Sequence, residues 1–185
     1  MRRLMTYGAV VLAVLAGFGV RAYLTRDTSD PAKAAAFVRL GVTDLTATRI
    51  DAARANFRKA IEADGDSRDA HYNLGYVLQA FDHKPAAAET EYRKAIDIDP
   101  GYDKALYSLA TLRAGANDFT EAIALYRQAI AANPDFAEAH FNLGLLLMDH
   151  GNKTLGQQEV AKGIELKPEL GSHIATSTTT TPKRR

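Results

Sequence analysis

Residues 103–136 read DKALYSLATLRAGANDFTEAIALYRQAIAANPDF, and this stretch decides the fold. Its first part sets Leu106, Leu109, Ala110 and Leu112 on one face of a helix, at spacings of three and one. Gly115-Ala116-Asn117-Asp118 interrupts that periodicity, and Asp118 is a residue type that caps the next helix. The second part places Phe119, Ala122, Ile123, Tyr126, Ala129 and Ile130 on a second helical stripe. Asn133-Pro134 ends it, because the ring of a proline pushes the preceding residue out of helical geometry. The stretch is a helical hairpin with small residues where two axes must approach.

Working outward, the same hairpin is written four times. Leu40-Gly41, Leu74-Gly75, Leu109-Ala110 and Leu143-Gly144 recur after 34, 35 and 34 residues. A second mark keeps step with the first: Ala60-Ile61, Ala95-Ile96, Ala129-Ile130 and Gly163-Ile164. A fixed period of this length means stacked units, none of which buries its apolar face alone. The array spans 31–170, with units at 34–67, 68–102, 103–136 and 137–170; one extra residue near Asp82–Pro85 accounts for the period of 35. Ser29-Asp30-Pro31 supplies a cap followed by proline at the first helical position, so the array's first helix begins there.

Composition excludes several classes. With 46% hydrophobic and 24% charged residues the chain is globular. The formal charge of +1 is unevenly spread: residues 1–33 carry +3, the tail 171–185 carries +3, and the array 34–170 carries −5. A net acidic array lacks the positive field that phosphate backbones require, so no nucleic-acid partner is expected. The absence of cysteine removes disulfides, thiolate metal sites and cysteine nucleophiles. His71 and His140 occupy the same place in two repeats and read as packing residues, with no second ligand at metal-binding spacing. Asp97-Ile98-Asp99-Pro100-Gly101-Tyr102-Asp103 falls at an inter-repeat turn and lacks the carboxylate that closes a calcium loop. No phosphate loop, nucleophile elbow, metal site or cofactor site is legible, and no catalytic residue is expected.

The first 30 residues read differently. Arg2 and Arg3 precede an uncharged run from Leu4 to Val20, 17 residues or about 25 Å of helix. Extending it to Leu24, with Arg21 reaching toward the headgroups, gives about 31 Å, enough to cross a hydrocarbon core. Tyr7 and Tyr23 then stand near the two interfaces. The expectation is a single N-terminal transmembrane anchor with the repeats on the extracytoplasmic side. A cleaved secretory signal processed near Ala16 is the alternative. The tail 171–185, rich in Thr and ending Pro-Lys-Arg-Arg, has little to bury and reads as disordered.

The third unit places Leu109, Ala110, Ala122, Tyr126, Ala129 and Pro134 where the tetratricopeptide repeat (TPR) has its signature side chains, and so resembles that family. The first unit matches at Phe37, Leu40, Gly41, Ala53, Phe57 and Ala60, the second at Leu74, Gly75, Ala88, Tyr92, Ala95 and Pro100. The fourth keeps Leu143, Gly144 and Pro168 but has Gly156, Val160 and Gly163 where Ala, an aromatic and Ala are usual. The resemblance implies an all-α, right-handed superhelical solenoid of four helix-turn-helix hairpins. Gly156 and Gly163 each weaken a helix by about 1 kcal/mol relative to Ala. Residues 153–170 are therefore expected to be the loosest part of the array, or to be covered by a partner or a second copy.

The resemblance also implies which side chains line the concave groove. They include Arg39, Tyr72, Asn73, Tyr76, Lys104, Tyr107, Phe141 and Asn142, rings interleaved with amides and cations. Such a surface suits a protein or peptide segment, because rings give area at low entropy cost and amides bond a peptide backbone. Tyr72 and Tyr107 are read as removable without unfolding the array. Some relatives clamp a C-terminal carboxylate with Lys and Asn at the fifth and ninth places of one repeat. The clamp is completed by Lys and Arg at the second and sixth of a later one. Here Val38 and Val42, or Tyr72 and Tyr76, stand at the first pair, and only Lys104 fits the second, so that clamp is not expected. The expected function is a membrane-anchored adaptor or scaffold, with self-assembly into a homo-oligomer as the alternative.

Overall fold

The computed structural model describes residues 29–172 except Gly151. Among them eight α-helices follow in series with no strand: α1 (Pro31–Thr46), α2 (Ile50–Ala63), α3 (Arg68–Ala80), α4 (Pro85–Ile98), α5 (Asp103–Gly115), α6 (Phe119–Ala132), α7 (Ala137–His150) and α8 (Lys153–Leu166). A single 3-10 turn, Pro168–Leu170, closes the series. The four expected hairpins are α1–α2, α3–α4, α5–α6 and α7–α8. The anchor expected within 1–30 and most of the tail lie outside the described residues. No helix among the described residues is long and apolar enough to cross a membrane.

Local chemistry sets the ends. Asp30 accepts from the Lys33 amide at 2.9 Å, Asp118 from Glu121 at 3.3 Å and Asn152 from Leu155 at 3.0 Å, each satisfying an orphan donor at a helix start. The even-numbered helices all end on an extended residue: Asp64, Asp99, Asn133 and Lys167. Proline follows three of these, which enforces that backbone. In all four repeats the extended residue reaches back to the start of its own hairpin. Asp64 accepts from Ser29 Oγ at 2.9 Å, Arg68 donates to Asp99, Asn133 donates to Asp103 at 2.7 Å, and Lys167 donates to Glu138 at 2.7 Å. The chemistry of this clasp changes from repeat to repeat while its place does not. Each clasp is partly solvated and contributes on the order of 1 kcal/mol or less.

The core is built on one recurring contact, a small residue on the odd helix beneath a large one on the even helix. A Cβ on Gly41 would stand 2.5 Å from the Phe57 ring, and one on Gly75 2.7 Å from Tyr92. Phe57 and Tyr92 are themselves fully buried. Gly144 meets Val160 instead, and that change lets backbone approach backbone: a Cβ there would lie 2.6 Å from the Val160 nitrogen and 2.7 Å from the Gly156 carbonyl. On the other side of the same crossing, a Cβ on Gly156 would lie 2.7 Å from the Gly144 carbonyl, and one on Gly163 2.8 Å from that of Ala137. The glycines expected to weaken 153–170 as helix are thus also the residues its close packing requires. The three glycines make α7–α8 the most closely apposed hairpin, and Leu170 from the 3-10 turn packs with Ala137, Phe141 and Val160 over its end.

His71 and His140 are buried as expected, with a pairing the sequence did not disclose. His71 Nδ1 lies 2.6 Å from Glu91 Oε2 and Nε2 lies 3.0 Å from the Gly65 carbonyl. His140 repeats this with Glu159 at 2.6 Å and the Pro134 carbonyl at 3.0 Å. Each ring thus ties an inter-repeat turn to an even helix. The contact with His71 is the largest of the influences that hold the Glu91 carboxyl below its ordinary range.

Two outcomes follow from this packing. Gly156→Ala gains helix propensity of about 1 kcal/mol, but its methyl must push α7 and α8 apart, which typically costs 1–3 kcal/mol. Urea unfolding should therefore show no gain and a net loss of up to about 2 kcal/mol, and a more stable variant would contradict the close crossing. Because Glu91 is favoured as the carboxylate in the fold, its contribution is present above the unfolded carboxyl range and lost as pH falls through the lowered one. The stability gap between the parent and Glu91→Gln should be widest near neutrality and shrink below about pH 4.

Candidate peptide-binding groove

The odd-numbered helices form the inner side of the array. α1 approaches α3 and α3 approaches α5 more closely than successive even helices approach one another, so the stack curves toward the odd side. Each odd helix presents its fifth, sixth and ninth places of the repeat to this side. The fifth carries Val38, Tyr72, Tyr107 and Phe141, the sixth Arg39, Asn73, Ser108 and Asn142, and the ninth Val42, Tyr76, Thr111 and Leu145.

The eight residues expected to line the groove fall into three groups. Arg39, Lys104 and Tyr76 are exposed, and Asn73 is half-buried with its Nδ2 donating to the Asp69 carbonyl at 2.7 Å. Tyr72, Tyr107 and Asn142 are half-buried and already engaged. Tyr72 stacks edge-on to Tyr102, with centroids 5.4 Å apart, and lies 6.0 Å from Tyr92. Tyr107 sits 4.8 Å from Phe136 and 5.8 Å from Tyr126. Phe141 is buried, only 6% exposed, in the cluster with Ala137, Val160 and Leu170. Gly163 lets α8 approach the Phe141 backbone and Cβ, and Leu170 packs in the same cluster. Tyr72 and Tyr107 thus each pair with two rings of their own repeat, and such ring pairs contribute about 0.5–1.5 kcal/mol beyond their burial.

A polar ladder runs through this second group. The Tyr107 hydroxyl accepts from Asn142 Nδ2 of the next repeat at 2.9 Å, and the Tyr72 hydroxyl lies beside Ser108 of the next repeat, which opposes part of the burial-driven rise in its pKa. Thr111 adds a rung, bonding the Tyr107 carbonyl at 3.0 Å and the Tyr126 hydroxyl at 3.1 Å. Burial raises the pKa of both Tyr72 and Tyr107, so they remain neutral phenols across the physiological range. Sequence reasoning missed the ladder. Its signal was present: tyrosine at the fifth place, with Ser or Asn at the sixth of the following repeat.

The apolar surface left open is concentrated along the ninth place. Among the described residues the exposed large hydrophobics are Leu40, Val42, Tyr76, Phe81 and Leu145, and three of these five occupy that place. Phe81, from the turn after α3, meets Tyr76 edge-on with centroids 6.1 Å apart. Clefts of 390 and 350 Å³ lie on the even-helix side, one beside His71, Lys94 and Asp97 and one beside Arg93, Glu121 and Gln128. No cluster of three or more potential metal-ligating side chains exists among the described residues.

Comparison with known proteins agrees with this architecture. A tetratricopeptide repeat profile matches residues 38–103 and a TPR repeat profile matches 116–151, together more than half of the chain. The type IV pilus assembly protein PilF of Pseudomonas aeruginosa is 26% identical over 175 residues, covering 88% of this chain and 68% of the relative. A solved structure of P. aeruginosa PilF superposes with a TM-score of 0.67 at 26% identity, over 74% of this chain and 62% of that one. Human protein O-mannosyl-transferase TMTC3 is 26% identical over 125 residues, but these span 14% of its length. The first TPR domain of Spaghetti (RPAP3), bound to the HSP90 peptide SRMEEVD, shares the fold with a TM-score of 0.62 at 21% identity, covering 66% of this chain and 97% of that one. Helical hairpins in phase, small residues beneath large ones at each crossing and two matching repeat profiles converge on one assignment: the chain belongs to the tetratricopeptide repeat family.

Proposed function

We propose that this chain is a membrane-tethered, non-enzymatic adaptor that holds a peptide or protein segment along the inner face of its repeats. The observation that carries the reading is the exposed row Val42, Tyr76 and Leu145, apolar side chains at one register on the inner side of a domain whose other large side chains are mostly covered. Aligned apolar exposure of this kind marks interaction surfaces rather than random surface variation. Arg39, Asn73 and Lys104 border the row and supply charge and amide groups, while Tyr72, Tyr107 and Asn142 shape it from beneath. A partner protein fits better than a small molecule, because the surface is long and open. The name of the relative PilF, an assembly protein, agrees with scaffolding work.

The tether is the apolar run from Leu4 to Val20, with the repeats on the extracytoplasmic side. Anchoring raises the concentration of the array near other membrane components, which favours assembly tasks. One observation favours self-assembly as a second reading. Leu40 is 53% exposed at the open end of the stack, whereas its counterparts Leu74, Leu109 and Leu143 are buried under the preceding helix. Light scattering in mild detergent separates the two, since self-assembly requires a defined oligomer without added partner.

Replacing Val42, Tyr76 and Leu145 together by Ser should lower partner recovery from solubilised membranes at least tenfold while leaving the helical content and Tm nearly unchanged. Full recovery would move the site off the inner face. Arginine at Leu12 and Leu15 should shift the chain from the membrane fraction to the soluble one, since each charge opposes insertion by about 2.5–3.5 kcal/mol. Continued sedimentation with membranes would contradict the tether.

A further inference from the structure

The ladder joining the fifth place of one repeat to the sixth of the next is broken at a single junction. Tyr72 meets Ser108 and Tyr107 meets Asn142, but α1 offers Val38, which has no hydroxyl for Asn73. Asn73 turns its Nδ2 back to the Asp69 carbonyl of its own helix, and its Oδ1 bonds no other group among the described residues. That carbonyl already accepts a helical N–H bond, so releasing the side chain leaves no buried polar group unpaired. One of the two groove asparagines is therefore consumed by the fold, and the other is free to exchange its partner.

Charge divides the inner face in the same way. Every carboxylate on α1, α3 and α5 is engaged: Asp44 by Arg49 at 2.6 Å and Asn56 at 2.8 Å, Asp69 by the Tyr102 hydroxyl at 2.8 Å, and Asp103 by Asn133 at 2.7 Å. Arg39 and Lys104, both exposed, are engaged by no carboxylate among the described residues. Between them stand Val42, Tyr76 and Phe81, each 41–43% exposed. The far half of the face instead buries Phe141 and carries Asp149.

We propose that the half of the inner face between Arg39 and Lys104 is a docking site for an extended peptide segment that presents carboxylate side chains alternating with apolar ones. The inference rests on the groove reading above and specifies which half of the groove is used and what it selects. Asn73 exchanges its intrahelical bond for the peptide backbone, accepting an N–H at Oδ1 and donating Nδ2 to a carbonyl. Adjacent odd helices about 8–10 Å apart correspond to about three residues of extended chain each at roughly 3.3 Å per residue. The site therefore spans about six residues. The two cations steer and orient the segment, and their effect weakens with added salt.

The test is selection of random twelve-residue peptides displayed on phage against the full chain in detergent micelles, followed by titration of the recovered peptides as fluorescent conjugates. The expected peptides are enriched in Asp and Glu interleaved with Leu, Ile, Val or Phe, and bind at least tenfold more weakly at 500 mM than at 50 mM salt. Asn73→Ala and the pair Arg39→Glu with Lys104→Glu each weaken them at least tenfold, whereas Asp149→Ala, on the far half of the face, leaves them unchanged. Val38→Tyr restores the missing rung, so it weakens binding without lowering Tm; this separates loss of the amide from loss of the fold. Peptides lacking acidic residues, or peptides whose binding changes with Asp149→Ala and is indifferent to Asn73→Ala, overturn the inference while leaving the groove reading intact. Recovery of no binding peptide overturns the groove reading itself.

Discussion

The structure depends on how closely two helices can approach within a hairpin. A glycine or alanine on the odd helix makes a hollow, and the side chain two turns into the even helix fills it: Gly41 with Phe57, Gly75 with Tyr92, Ala110 with Tyr126, Gly144 with Val160. Interiors are packed at crystal density, so this contact fixes the distance between axes to a fraction of an ångström. Everything outside the hairpin inherits that distance. The clasps at Asp64, Asp99, Asn133 and Lys167 meet their partners because the two helix ends they join are held at a constant offset. The fourth hairpin shows the coupling directly. Losing the aromatic at Val160 would leave a void, and glycine at 156 and 163 closes it by letting the backbones meet. Helix propensity and helix packing oppose each other at those two positions, and packing decides the outcome.

A second set of contacts operates at the end of each repeat. Tyr102, Phe136 and Leu170 hold equivalent places there, and each packs with the fifth-place ring of its own repeat: Tyr72, Tyr107 and Phe141. From Tyr107 a hydrogen bond then crosses to Asn142 of the next repeat. Such a bond helps fix the rotation of one hairpin against the next, since hydrogen bonds are directional where ring contacts are not.

The repeat phase, the hairpin boundaries and the caps at Asp30 and Asp118 were legible because each depends on residues close in sequence, whose spacing is a direct record of helical geometry. Burial of His71 and His140 was legible from their place in the repeat, but their carboxylate partners were not, because Glu91 and Glu159 lie about 20 residues away. The site was only partly legible. Periodicity tells which side of a helix is turned outward, and Arg39, Tyr76 and Lys104 are exposed while Asn73 is half-buried. It does not tell how deeply a ring sinks. Phe141 shows this: it is only 6% exposed, packed beside Gly163 and Leu170, neither of which lies on its own helix. The same gap hid the double role of Tyr72 and Tyr107, which look inward by register yet hold the repeats together.

This double role places rigidity and recognition in competition for the same atoms. An amide that locks one repeat to the next is satisfied by the fold and offers a ligand nothing beyond its van der Waals surface. A hydroxyl absent from the ladder loosens one junction by about 1 kcal/mol and returns one amide to the surface. In the first junction Val38 removes the hydroxyl, and the clasp and the Gly41–Phe57 crossing remain to hold α1 in place. In the second and third the ladder is complete and the inner face is correspondingly closed. Position along the array, and not only register within a repeat, therefore determines what each inner-face residue can do. Four hairpins of one design present a surface that grades from exchangeable polar groups at α1–α3 to a fully committed core at α7–α8.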